Sequence, residues 1–222
     1  MASTLRRVGV ANLSAPARLA CVALGGYLFG FVTAHIPSPT DPSYFWVSNL
    51  AAPYLLIPFL AGAWHFRPWW AAGAGALAAA ATVTGFYGLL TVGDTSSTEL
   101  GLPAGTDRVT LAAHAYGNWF RHLALGQPGG VPWLTLAVLG GAGFGYLGHL
   151  WCARGSRIAA TVVVLAFTLE PIVYLSHIPL RRVANDYGLD ASNAAIWGAE
   201  MLFGLAALAF VWAVPRGPRP AR

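Results

Sequence analysis

Charged residues are what this sequence most lacks. Only 9% of its 222 residues are Asp, Glu or Arg, and Lys is absent altogether. Soluble domains carry about 25% charged residues, because their surface faces water. Hydrophobic residues make up 56% of the chain. The composition therefore excludes an ordinary soluble domain and predicts an integral protein of the plasma membrane, with the lipid bilayer as its main partner.

Cysteine is nearly absent, and the basic residues are not clustered. The two cysteines, Cys21 and Cys152, lie in apolar segments and lack the neighbours of a zinc site, so we predict small buried residues rather than a disulfide. The 13 arginines give a net charge of +5 but are scattered over termini and short loops. Nucleic-acid binding needs a concentrated basic face, so no nucleic-acid partner is predicted.

Long apolar runs recur along the whole chain. A helix that crosses a bilayer needs about 20 predominantly apolar residues, and six segments approach that length. They predict an all-α fold, a single transmembrane domain over residues 1–222 built as a six-helix bundle. The six segments are 17–36, 46–64, 69–92, 132–151, 157–177 and 194–214.

Small residues and prolines mark particular places in these segments. Gly26 and Gly30 have the GxxxG spacing that allows two helix backbones to approach closely, and Ala71–Ala81 is almost entirely Ala and Gly. Both stretches predict close helix contacts. Pro53 and Pro58 each remove a backbone donor, which predicts a kinked or broken second helix.

The stretch 93–130 is more polar than the rest. Within it, residues 109–125 have apolar side chains at helical spacing, which predicts one additional amphipathic, interfacial helix. Such a helix would lie on the membrane or form a partial lid over the bundle. The predicted apolar face consists of Val109, Ala112, Ala113, Tyr116, Phe120 and Leu123.

The arginines predict an orientation. With a cytoplasmic N-terminus, nine arginines fall on the inside and four on the outside, which agrees with the excess of positive charge in cytoplasmic loops. Both termini are therefore predicted to be cytoplasmic. The outside set is Arg108, Arg121, Arg181 and Arg182.

Two acids inside apolar segments are the candidate catalytic or ion-binding residues. Glu170 stands before Pro171 in the fifth segment, and Glu200 lies in the first third of the sixth. Acids within a membrane are costly and usually mark a pathway, a site or a pair. The antiparallel order puts both in the outer half, where two neighbouring carboxyls would share a proton. The alternative is that they only fix helix packing.

Further candidates for substrate binding follow from these acids. Tyr174 and His177 lie four and seven residues after Glu170, on the same helix face, and Trp197 shares a face with Glu200. The spacings of the six histidines match no metal motif, so no metal is predicted. The sequence contains no phosphate-binding or dinucleotide motif, and no cofactor is predicted.

Several stretches resemble a family of small polytopic actinobacterial membrane proteins of unknown function. They are SNLAAPYLLIPFLAGAW, GFYG, GGAGFGYLGHLW and TLEPIVYL, at 48–64, 85–88, 140–151 and 168–175. The resemblance implies no activity. It points to Asn49, Pro53, Tyr87 and Glu170 as the polar or special positions, and it adds Asn49 and Tyr87 to the candidates for substrate binding.

Three functional hypotheses remain open at this point. The first is a small transporter-like protein with a polar cavity in the outer half of the bundle, around Glu170 and Glu200. The second is an intramembrane enzyme that uses terpene-cyclase-like acid catalysis on a lipid-soluble substrate. The third is a structural or accessory subunit. A small hydrophobic or ionic ligand would suit the first two, and the small-residue faces also suit contacts between copies in a homo-oligomer.

Overall fold

The computed structural model describes residues 13–35, 51–65, 67–94, 101–125, 132–175 and 194–213, and all regular structure in them is helical. The predicted all-α fold is therefore confirmed. Each of the six apolar segments contains a helix, and a seventh lies in the polar stretch. The helices are α1 (Ala15–His35), α2 (Ala51–Ala63), α3 (Pro68–Asp94), α4 (Arg108–Leu125), α5 (Trp133–Arg154), α6 (Arg157–Leu175) and α7 (Ala194–Ala213).

Serine hydroxyl groups cap the N-termini of two of the apolar helices. The Ser14 hydroxyl accepts a hydrogen bond from the Ala17 N–H at 3.4 Å, and the Ser156 hydroxyl accepts one from the Ala159 N–H at 3.3 Å. Each serine thereby satisfies an N–H group that the first helical turn cannot bond. Between α5 and α6, Gly155 adopts a left-handed conformation with φ of 62°, which allows a turn of only two residues.

Close packing of small residues holds the helices together. α3 packs most extensively against α5 and α1, α2 packs against α5 and α3, and α6 pairs with α7. A Cβ atom on Gly26 or Gly30 would collide with backbone atoms of α3, and one on Gly75 would collide with Gly141 of α5. These glycines permit backbone-to-backbone contact, so the predicted close packing of both small-residue stretches is confirmed.

The second helix, which the sequence predicts to be kinked or broken, is unbroken within the described residues. α2 is continuous from Ala51 to Ala63, with the buried Pro58 inside it. Pro53 lies in the first turn, where a helix makes no use of the missing N–H. Pro58 removes one hydrogen bond, but neighbouring helices enclose it and the helix continues. Residues 46–50 of the predicted segment lie outside the described part.

The amphipathic helix predicted in the polar stretch is present as α4, which packs against α3 and α5. Ala115 is buried, whereas Val109 and Phe120 of the predicted apolar face are exposed. The acid-bearing α6 is not among its main neighbours, so the packing gives no support to a lid over the acids.

Asp107 begins α4, and its replacement gives a local test of that helix. Its carboxylate accepts hydrogen bonds from the Val109 and Thr110 N–H groups and from the Thr110 hydroxyl, which lower the pKa of Asp107. We expect Asp107→Ala to speed hydrogen exchange at Val109 and Thr110, since the first-turn amides lose their acceptor. Asp107→Asn should keep most of the protection. Equal exchange in the wild type and D107A would contradict this role.

Two helical stretches are long and apolar enough to cross a membrane, Ala15–Ala34 and Trp133–Arg154. Two further stretches, Ala52–Ala63 and Trp197–Ala213, are apolar but shorter. Cys21 and Cys152 are both exposed on their helices, so the prediction that they are buried is wrong. Both fall on outward faces of α1 and α5 because glycines and alanines occupy the contact faces.

Candidate functional site

Glu170 is buried near the end of α6, with 8% of its surface exposed. Its Oε2 accepts a hydrogen bond of 2.6 Å from the Ala52 N–H, in the first turn of α2. The first N–H groups of a helix have no partner within the helix, and a helix N-terminus carries a partial positive charge. Glu170 therefore caps α2 from a helix more than one hundred residues later in the chain.

Glu200 lies on α7 and is equally buried, with 8% of its surface exposed. Its carboxyl faces that of Glu170 closely enough for the two to interact electrostatically. Neither Glu200 oxygen has a hydrogen-bond partner at bonding geometry among the described residues. The two acids that the sequence singled out thus meet, but only Glu170 bonds to the backbone.

The antiparallel pairing of α6 and α7 brings the acids together. The Trp212 Nε1–H donates to the Thr161 hydroxyl at 3.2 Å, and Gly204 lies against Thr168. Residue numbers rise along α7 while their partners on α6 fall. The turn of α7 that precedes Gly204 therefore brings Glu200 to the level of Glu170. The register follows from these contacts.

Gly204 sets the distance between the two helices. A Cβ atom there would collide with the Thr168 side chain and with the adjoining backbone of α6. The Thr168 hydroxyl is itself buried without a hydrogen-bond partner in the described part of the chain. Three buried oxygen atoms without partners, two on Glu200 and one on Thr168, therefore lie on the contact between α6 and α7.

Pro171 and Trp197 are buried near the acids along their own helices. Pro171 is fully buried and has no N–H, so the Phe167 carbonyl loses its usual partner four residues later. Trp197 precedes Glu200 by almost one turn of α7, and only 2% of its surface is exposed. The predicted association of Trp197 with the acid-bearing face is in line with its burial beside Glu200.

The other predicted substrate-binding residues are not all near the Glu170–Glu200 pair. Tyr87 is half-buried on α3, with its ring edge-on to Phe86 at 4.9 Å, and α3 packs mainly against α5, α1 and α2. Tyr174 belongs to the last turn of α6, but its side chain lies outside the described residues, as do Asn49 and His177. No group of three or more metal-binding side chains occurs among the described residues.

Sequence reasoning missed two polar contacts at this end of α2. The first is the Ala52 N–H, which no side-chain pattern could indicate. The second is the Tyr54 hydroxyl, which donates to the Thr33 hydroxyl of α1 at 3.0 Å, while Thr33 donates to backbone carbonyls of its own helix. A Tyr and a Thr in apolar segments were the available signal, and both are common in such segments.

Comparison with known proteins identifies no relative of this chain. No protein-family model, no curated protein and no solved structure matches the chain. The resemblance to an actinobacterial membrane family therefore stays a prediction.

Proposed function

We propose that this chain is a transporter-like plasma-membrane protein in which the carboxyl pair of Glu170 and Glu200 binds and releases a proton. The observation that carries the proposal is that the buried Glu200 carboxyl adjoins the buried Glu170 carboxyl, close enough for the two to interact. Intramembrane acids in such an arrangement are typical of proton relays in pumps and transporters.

The exposed surface supports a membrane location. Only 28% and 22% of the residues in the two long apolar spans are buried, whereas a core helix of a soluble protein is mostly buried. Leu24, Leu28 and Val32 form an exposed stripe along α1 at four-residue spacing. An apolar surface of this extent needs lipid to cover it. A six-helix bundle with cytoplasmic termini is our proposal for the topology.

The two carboxyls differ in what surrounds them, and this suggests separate roles. Two ionised carboxylates in contact repel each other, so one proton shared between them stabilises the pair. The N-terminus of α2 stabilises negative charge on Glu170 through the Ala52 N–H. No such donor reaches Glu200 among the described residues. We therefore assign the exchangeable proton to Glu200 and the standing charge to Glu170.

A flux measurement tests this assignment. The purified protein is placed in vesicles that enclose a pH-sensitive dye, and a potassium diffusion potential drives protons inward. We expect the wild type to conduct protons above the rate of protein-free vesicles and Glu200→Gln to fall to that rate, because Gln carries no exchangeable carboxyl proton. Asp107→Asn removes an exposed carboxyl just before α4 and serves as the matched control.

The outcomes separate the alternatives. A wild type with no flux above protein-free vesicles, or an E200Q variant with full flux, would overturn the proposal. The folded state of each variant is checked by circular dichroism before reconstitution. The Glu170–Ala52 bond favours a second candidate, a structural or accessory subunit in which the acids only fix α2. That role predicts lower stability for Glu170 variants and no proton flux in any sample.

A further inference from the structure

The end of the bundle opposite the two acids carries histidine and arginine side chains. The Ala52 N–H marks the acid end of α2, and His65 follows the last turn of α2 about 20 Å away. There the His149 Nδ1–H of α5 donates to the His65 carbonyl at 3.0 Å, because a carbonyl can only accept. This bond joins the α2–α3 turn to the last turns of α5.

Arginines gather at this end. Arg18 of α1 is close enough to His65 to act on it electrostatically, and Arg67 lies in the α2–α3 turn. Arg154 ends α5, and Arg157 begins α6 and lies over the Trp212 ring at 5.5 Å. We call the four arginines, Arg18, Arg67, Arg154 and Arg157, the basic end.

The basic end has no acid from its own segments to balance it. The sequence contains no Asp or Glu in residues 1–40, 42–93, 108–169 or 201–222, which include every segment that contributes to this end. Exposed tryptophans flank the arginines, with Trp64 and Trp69 on either side of the α2–α3 turn. Exposed Trp beside Arg is the composition of a surface at the level of lipid headgroups.

His65 provides a second, independent observation. Only 7% of its surface is exposed, and its Nε2 has no hydrogen-bond partner among the described residues. Burial, and to a smaller extent the Arg18 guanidinium, lower the pKa of His65, so its ring is neutral at pH 7. A buried imidazole nitrogen without a partner, within electrostatic range of a guanidinium, is suited to a hydrogen bond with an anionic oxygen.

We propose that the basic end binds the phosphate groups of anionic phospholipids in the cytoplasmic leaflet, with His65 Nε2 as the hydrogen-bonding group and the arginines as the charges. Anionic lipids attract basic residues at the membrane surface, and an Arg–phosphate pair gains from charge-assisted hydrogen bonds. The proposal rests on the membrane location but not on the proton site. If the lipid-binding proposal fails, the proton-site proposal still stands, and the reverse is also true.

Two double variants test the proposal with equal loss of charge. Arg67 and Arg154 are exposed at the basic end, and Arg108 and Arg121 are exposed on α4. Purified protein in neutral detergent is titrated with phosphatidylglycerol or phosphatidylcholine, and lipid retention is measured by native mass spectrometry. We expect R67Q/R154Q to weaken phosphatidylglycerol binding about 30-fold, while R108Q/R121Q binds within about twofold of the wild type.

Further arms address the source of the phosphate and the role of His65. Inorganic phosphate at the same concentrations should leave phosphatidylglycerol retention unchanged, and full competition by it would show a soluble-anion site and overturn the lipid assignment. His65→Phe keeps a ring but removes both nitrogens. We expect this variant to retain less phosphatidylglycerol than the wild type and the same amount of phosphatidylcholine. Equal retention of both lipids by the wild type, or equal losses in the two double variants, would also overturn the proposal.

Discussion

Replacing Gly145 by alanine is expected to destabilise the protein by about 1–3 kcal/mol. Gly145 is buried where α5 crosses both α3 and α2, and a Cβ atom there would collide with the Ala71 carbonyl and the Gly75 backbone. Backbone atoms cannot rotate away as a side chain can. The helices must separate, and the contact between α3 and α5, the most extensive in the fold, loses its fit.

Gly143 provides the matched control on the same helix. It is exposed, and a Cβ atom there would meet nothing within 4 Å. Gly143→Ala should leave stability unchanged or raise it by about 0.5–1 kcal/mol, because Ala favours the helix. Unfolding in mixed micelles of neutral detergent and SDS, followed by circular dichroism, gives both values. Equal stability of the two variants would refute the proposed packing of α5.

Replacing Glu170 by alanine should have the next largest effect. The substitution removes the carboxylate that accepts the 2.6 Å hydrogen bond from the Ala52 N–H and leaves that buried donor unpaired. The loss of a hydrogen bond to a charged partner, with a stranded buried group, costs about 1–3 kcal/mol. Glu170→Gln keeps an oxygen that can accept from Ala52, so we expect a smaller loss.

Two measurements separate this effect from general damage to the bundle. Hydrogen exchange at Ala52 should accelerate in E170A and remain slow in E170Q, since only the first variant lacks an acceptor. Glu200→Ala removes the other carboxyl, whose oxygens have no hydrogen-bond partner among the described residues, and should leave Ala52 protected. Unchanged protection of Ala52 in E170A would mean that Glu170 does not cap α2.

Local chemistry determined where the helices lie. The apolar runs predicted all six helices, and the start of two of them follows from Ser14 and Ser156, whose hydroxyls accept first-turn N–H groups. These signals act between near neighbours in the chain, so a sequence displays them directly. The scarcity of charge and the isolation of Glu170 and Glu200 in apolar segments likewise identified the candidate acids.

Some expectations failed because packing overrode the local signal. Pro58 predicted a kink or a break, and α2 is not broken at this buried proline. The apolar pattern of α4 predicted a face that included Val109 and Phe120, whereas both are exposed and the small Ala115 is buried against α3 and α5. In both places the partner surface decided the outcome, and a periodic pattern does not describe that surface.

The sequence by itself determined an all-α chain poor in charge, with two acids in apolar segments and arginines scattered over termini and short loops. Only the tertiary structure decided that the acids meet, that Glu170 bonds to Ala52 and that Glu200 is left without such a bond among the described residues. Helix positions depend on neighbours within a few residues. The meeting of the two acids depends on the register of α6 against α7, which Gly204 and Thr168 set through space.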